Sequence, residues 1–159
     1  MSVITGMMLS DAHIALRPLS INARFMFTQS GKSEKREYFD HVLSLMKPFC
    51  SDGYVPYFKK WVDGRTGVML TSISLTTLPC FTNFRVLWYL DDIKIVPLNI
   101  KELLSPKSQW IMGDGSKQNE GLHLNVYAFS PSDVDLLISA LTDRYGLHCT
   151  IHQTAVEYI

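Results

Sequence analysis

Two stretches of this sequence are built alike. A short apolar segment, Val3 to Ser10 in one and the end of Lys101 to Met112 in the other, runs into an aspartate, Asp11 and Asp114, and the same alternation of helix-like and strand-like segments follows each. A repeat of this kind constrains the fold strongly, since both copies must satisfy one architecture. In the first copy Gly6 and Ser10 are four residues apart, so the segment reads as a short helix with one face small enough for another backbone to approach. His13 to Arg17 and Ala23 to Gln29 then alternate polar and apolar residues around a turn at Pro18 to Asn22, the period of half-buried strands.

Ser33 is placed to cap a helix whose Tyr38, Phe39, Val42, Leu45, Met46 and Phe49 recur at helical spacing, with Pro48 closing it. Tyr57 to Val62 and Val68 to Thr77 flank the turn Asp63-Gly-Arg-Thr-Gly67 and read as a hairpin. Pro79 to Leu90 carries Phe81, Phe84, Leu87 and Trp88 on one face, giving a further helix ended by Asp91 and Asp92, and Ile93 to Ile100 is a link. The second copy follows: a helix over Lys101 to Met112, a strand over Leu122 to Phe129, a helix and a strand over Leu147 to His152. Its helix starts at Ser130-Pro-Ser-Asp133, with an N-cap, an N1 proline and an acidic N3, carries Val134, Leu137, Leu141 and Tyr145 as its stripe, and stops at Gly146.

With 47% apolar residues in 159 and a mean hydropathy of +0.06, the chain can bury a real core. No window holds the roughly 18 to 20 consecutive apolar residues of a membrane span, and the start lacks a signal pattern. Cys50, Cys80 and Cys149 are widely spaced and odd in number, which argues against a disulfide framework and fits a reducing compartment. Fifteen Lys and Arg balance fifteen Asp and Glu. Duplex-binding proteins usually carry a basic excess, so this neutrality counts against tight DNA binding, though charge can still be segregated onto one face.

The motif Ile4-Thr-Gly-Met-Met-Leu-Ser-Asp-Ala-His-Ile14 resembles the first signature of the LAGLIDADG homing endonucleases, and Trp110-Ile-Met-Gly-Asp-Gly-Ser-Lys117 resembles the second. Further blocks stand in the order of single-chain, two-motif members: Lys94-Ile-Val-Pro-Leu-Asn-Ile100, Leu103-Leu-Ser-Pro106, Leu122-His-Leu-Asn125, Phe129-Ser130, Asp133-Val134 and Gly146-Leu-His-Cys149. The resemblance implies an α+β fold of two pseudo-symmetric αββαββ halves, over 1–100 and a shortened 101–159, with the motif helices at the interface and antiparallel β-saddles along the DNA groove. Small residues at Gly6 and Ser10 would let the motif helices touch and bring their terminal carboxylates together.

By the same resemblance Asp11 and Asp114 bind Mg²⁺ or Mn²⁺ with the carbonyls of Ser10 and Gly113, and Lys94 is a basic catalytic residue beside the metals. It implies a monomeric, intron-encoded, site-specific DNA endonuclease in a mitochondrion or chloroplast. Candidate nucleic-acid contacts are the alternate strand residues His13, Arg17, Arg24, Thr28, Lys59, Trp61, Arg65, Thr71, Lys117, His123, Asn125 and Tyr127, of types that read base edges in a major groove.

The sequence departs from the pattern in places. Ala12 replaces the more usual glycine, Gly113 stands where many relatives have an additional acid, and Lys107, Ser108 and Gln109 replace small or apolar residues, weakening the expected helix packing. Relatives continue past Leu147 to His152 with a basic hairpin, a strand and a helix, whereas Gln153 to Ile159 stands here. On this reading the second half lacks its catalytic lysine and keeps an open strand edge that invites a partner. The alternative function is therefore an RNA-binding relative on the same scaffold, either an intron maturase taking structured intron RNA or a subunit of an organellar ribonucleoprotein taking ribosomal RNA.

Two other motifs carry less. Alternation puts His148 and Cys149 on opposite faces of a strand, and no second Cys or His cluster joins them and His152 to complete four zinc ligands, while Gly113 to Lys117 lacks the spacing of a phosphate loop.

Overall fold

In this computed structural model the described residues are 2–105, 109–118 and 121–152. The chain opens with helix α1 (Ser2–Leu9), followed by strands β1 (Ala12–Ala15) and β2 (Arg24–Ser30), helix α2 (Ser33–Met46) and strands β3 (Tyr57–Val62) and β4 (Met69–Thr76). The four strands form one antiparallel sheet in the order β1-β2-β4-β3. This is the expected αββαββ order.

Period-two patterning sets which side of the sheet is covered. Phe25 and Phe27 of β2 point inward with Ala12 and Ile14 of β1 and with Ile73 and Leu75 of β4, and all six are buried. Helix α2 lays Phe39, Val42 and Met46 against that face, with the Phe39 ring stacked 5.8 Å from Phe27. Burying an aromatic or aliphatic side chain of this size stabilises by about 1.5 to 3 kcal/mol, so this face anchors the sheet. Every residue of β3, by contrast, is exposed, because the β3–β4 hairpin reaches beyond the helical cover.

Helix α3 (Thr82–Trp88) is shorter than its apolar spacing suggests. Tyr89 and Leu90 leave the helix as strand β5 (Tyr89–Leu90), which pairs with β6 (Ile93–Lys94) around Asp91 and Asp92. Both aspartates take positive φ, 48° and 64°, the backbone of a two-residue hairpin turn, which short polar side chains tolerate. The expected link over Ile93 to Ile100 is therefore in part a hairpin.

The second copy comprises α4 (Ile100–Leu103), α5 (Gln109–Asp114), strands β7 (Gly115–Gln118) and β8 (Gly121–Leu124), and α6 (Pro131–Tyr145). Leu104 leaves α4 in extended backbone, so one continuous helix over Lys101 to Met112 is not formed. Residues 115–118, read as following a helix end, pair with β8 instead. Strand β8 stops at Leu124, because the Asn125 side chain accepts from the Tyr127 N–H at 3.1 Å and turns the chain. No ladder holds 147–152, so the strand expected there is absent among the described residues. Lys32, not Ser33, precedes α2, with no side-chain cap. At α6 the expected capping box of Ser130 and Asp133 is present, and Gly146 ends the helix at φ 66°.

Lys107, Ser108 and 153–159 lie outside the described residues, as does the Gln109 side chain, and with them the expected weakening of helix packing. No helix among the described residues is long and apolar enough to cross a membrane.

Candidate active site at the paired helix ends

Helices α1 and α5 pack against each other, and at Gly113 the missing side chain leaves room for Ser10. A Cβ added at Gly113 would lie 2.5 Å from the Ser10 Oγ and 2.6 Å from its Cβ. Glycine is therefore what lets the two backbones meet where Asp11 and Asp114 follow, and a side chain at this position would collide with Ser10.

The two carboxylates share one electrostatic neighbourhood. Burial and then the charge of Asp11 push the Asp114 carboxyl above its ordinary value, against the pull of Lys94. Burial raises Asp11 as well, opposed by Lys35 and Lys94. Repulsion between partly desolvated acids is relieved by a cation placed between them.

Lys94 reaches this place because of the β5–β6 hairpin. Its Nζ donates to the carbonyls of Ala12 at 2.9 Å and Ser10 at 3.3 Å, and lies over the Phe129 ring at 5.6 Å. Burial brings its ionisation down to about 8, although Asp114 and Asp11 favour the charged form. Such a lysine exchanges protons closer to neutral pH than an exposed one. The hairpin is tied to β1 on its other side: Tyr89 Oη accepts from the Ile14 N–H at 3.0 Å, and Arg85 donates to the Ile14 carbonyl and pairs with Asp92.

Asp91→Val should therefore lower stability by about 1 to 2 kcal/mol, since a β-branched residue resists φ near 48°, whereas Asp91→Gly should hold or raise it. Equilibrium urea unfolding of the two variants checks this; equal midpoints would show that the turn is not held in this conformation.

The donor set suits a hard divalent cation. Asp11 and Asp114 offer only oxygen, and among the described residues no three His, Cys, Asp or Glu side chains gather, so remaining positions fall to carbonyls and solvent. The Ser10 carbonyl already accepts from Lys94, which leaves one of its two lone pairs. A divalent cation therefore fits the residues present.

The surface residues divide by face. His13 pairs with Met26, Thr28 with Ser74, Tyr57 with Ser74, Lys59 with Ser72 and Trp61 with Leu70. These pairings, with Arg24, put His13, Arg24, Thr28, Lys59 and Trp61 on the side of the sheet away from the helices. The Arg24 guanidinium donates to the Thr77 carbonyl at 3.1 Å, and Lys59 lies 5.5 Å over the Trp61 ring. Burial and Lys94 hold the His13 imidazole below its ordinary range.

Thr71 is a correction. It shares the parity of the buried Ile73 and Leu75 and packs with Phe58 over Gly31, so it faces the helix side. Arg17 lies beyond the end of β1 and Arg65 in the β3–β4 turn, where its N–H donates to Asp63. Lys117 pairs with Leu122 while His123 pairs with Ser116, so Lys117 and His123 occupy opposite faces of the β7–β8 hairpin. Asn125 and Tyr127 sit in the turn after β8 instead of alternating along a strand. Sequence patterning also missed two residues near the acids: Tyr38, read as part of the α2 apolar stripe, and Lys35 one turn earlier.

Residues 1–159 match the sequence profile of the LAGLIDADG DNA endonuclease family. The chain is 27% identical over 157 residues to a Cytochrome b mRNA maturase bI2 of Debaryomyces hansenii, covering 97% of this chain and 60% of that protein. It is 28% identical over 162 residues to the Cytochrome b mRNA maturase bI2 of Saccharomyces cerevisiae, covering 95% of this chain and 38% of the relative. The chain thus spans 60% of one maturase and 38% of the other. Identity to the DNA endonuclease I-ChuI of Chlamydomonas applanata is 22% over 169 residues, covering 98% of this chain and 77% of that one.

Among solved structures, the homing endonuclease I-WcaI bound to its DNA recognition sequence superposes with a TM-score of 0.84 at 18% identity, covering 97% of this chain and 70% of the other. The fold is thus that of a homing endonuclease. With its whole length matched by the profile and its two motif helices packed end by end at their acids, the chain belongs to the LAGLIDADG DNA endonuclease family.

Proposed function

We propose that this chain is a site-specific DNA endonuclease that hydrolyses phosphodiesters with Mg²⁺ or Mn²⁺. The observation that carries the reading is the convergence of Asp11, Asp114 and Lys94 where α1 meets α5. Asp11 and Asp114 would hold the metal, with the Ser10 and Gly113 carbonyls as further oxygen donors. When bound, the metal polarises the phosphate and activates water. Lys94, anchored on two carbonyls, holds an exchangeable proton beside the acids. The sheet face with His13, Arg24, Thr28, Lys59 and Trp61 would lie in the major groove, where arginine and lysine read guanine. The pseudo-symmetric halves would be 1–100 and 101–159.

The test is selection of duplexes from a randomised pool by the purified chain, followed by incubation of the bound sequences with Mg²⁺. Nicking at one position within the selected site is the expected result. A folded chain that binds duplex and never nicks it would sink the reading.

The printed names of the two maturases favour a second reading, in which the same scaffold serves an RNA partner. Their reference to cytochrome b messages also supports an organellar location. Under this reading the chain with both acids changed to asparagine would still support maturation of its RNA, whereas under the first it would lose its activity.

A further inference from the structure

Strand β3 carries an aromatic–lysine pair on each of its two faces. On the side away from the helices Lys59 Nζ lies 5.5 Å from the centre of the Trp61 ring, and on the helix side Lys60 Nζ lies 5.6 Å from that of Phe58. Successive strand residues point to opposite faces, so the two pairs stand back to back. A groove-facing surface uses the first pair and leaves the second without a role.

The helix side of the hairpin is open where that second pair stands. Strand β3 is the edge of the sheet, and its register sets Phe58 opposite Ile73, Lys60 opposite Thr71 and Val62 opposite Met69. Ile73 is buried, but Phe58 keeps 45% of its surface exposed, Val62 56% and Met69 61%. A Cβ at Gly31 would lie 2.8 Å from both Phe58 Cε2 and Thr71 Oγ1, so one edge of the ring is seated against the sheet. Neither β3 nor β4 contains an aspartate or glutamate. Asp63, in the turn between them, accepts from the Arg65 N–H and lies 3.8 Å from its guanidinium. The face is therefore flat, apolar and positively charged.

A seated ring beside an exposed ammonium complements a ligand that is itself a flat ring beside an anion, which is a nucleotide. In a duplex the faces of the bases are stacked on one another and only their edges are offered; an unpaired strand offers the faces. We propose that the helix-side face of the β3–β4 hairpin is a second nucleic-acid site, taking an unpaired strand, with a base stacked on Phe58 and the adjoining phosphate on Lys60. An ammonium over an exposed ring is held weakly, so Lys60 moves onto a phosphate at little cost.

Fluorescence anisotropy tests this with the full chain and three labelled probes: an oligouridylate of about 12 nucleotides, the matching oligothymidylate, and a duplex. Phe58→Leu keeps an apolar side chain and removes the ring. It should weaken binding of the single strands about tenfold or more and leave duplex binding within about twofold, at an unchanged melting temperature. Phe58→Tyr should keep the parent's affinity. Lys60→Gln should reduce the slope of log affinity against log salt by about 0.7 for the single strands. Whether the oligouridylate or the oligothymidylate binds tighter shows whether the 2′-hydroxyl is read, and so whether RNA or DNA is the occupant, the site standing in either case.

A parent chain that binds neither single strand would overturn the proposal, as would parent-like affinity in Phe58→Leu. An equal loss of duplex binding in Phe58→Leu, or a loss of single-strand binding in Trp61→Leu as large as in Phe58→Leu, would show one shared surface and overturn the second site. If Phe58→Leu fails to fold, Lys60→Gln, at an exposed position, carries the comparison, and an unchanged salt slope for the single strands overturns it.

Discussion

Asp11→Asn and Asp114→Asn, made separately, are each expected to lower cleavage of a selected duplex by about a thousandfold or more while raising the thermal stability of the metal-free chain at pH 7. The rate loss, ~4 kcal/mol of transition-state stabilisation, follows because asparagine keeps the shape but removes the charge that holds a divalent cation. The stability gain follows from the sign of the two shifts. Both carboxyls lie above their ordinary 3.8 in the folded chain, so ionisation is less favourable folded than unfolded. The resulting penalty is full at pH values above the folded carboxyl range and vanishes below 3.8. Melting curves at pH 7 and at pH 3.5 should therefore show a gain over the parent at the first and none at the second. Parent-like nicking by either variant would remove the acids from catalysis; a lower melting temperature at pH 7 would show that they stabilise the fold.

Gly113→Ala carries the second large effect. The new methyl would lie 2.6 Å from the Ser10 Cβ, on an element whose backbone must then move. Overpacking of this kind costs about 1 to 3 kcal/mol. The movement also separates the helix ends that carry Asp11 and Asp114, so cleavage should fall at least about a hundredfold, as small misplacements of catalytic groups do. Ser10→Gly opens the same gap from the other side. Combined with Gly113→Ala it should recover more than half of the lost stability, a coupling readable from a double-mutant cycle. Additive losses in the double variant would show that Ser10 is not what Gly113 must clear.

The candidate acids stand in local motifs, and it is the resemblance of those motifs to the LAGLIDADG signatures that proposed them. Each acid follows a short apolar segment, and Gly6 and Ser10 mark the small face of the first. The alternation of Phe25 and Phe27 and the spacing of Phe39, Val42 and Met46 gave the sheet and its covering helix, and Ser130 with Asp133 gave the start of α6. Where expectation failed, two periods agreed with the same residues. Tyr89 and Leu90 continue the helical spacing of α3, and nothing in their side chains reveals that Asp91 and Asp92 take positive φ and fold them into a hairpin. Thr71 alternates correctly along β4, but alternation names two faces without saying which is covered.

From the sequence alone came the elements of the first four strands and their helices and the order in which they run, since these depend on spacing along one segment, while the resemblance of two motifs to the LAGLIDADG signatures proposed Asp11 and Asp114 as paired acids. Tertiary structure alone decided that Gly113 rests on Ser10, that Lys94 turns back onto the Ala12 carbonyl, and that the charges of Asp11 and Asp114 act on Tyr38 and that of Lys35 on Asp11. Each of these joins residues that lie far apart along the chain. Such pairings arise from packing one element on another, which no local period encodes.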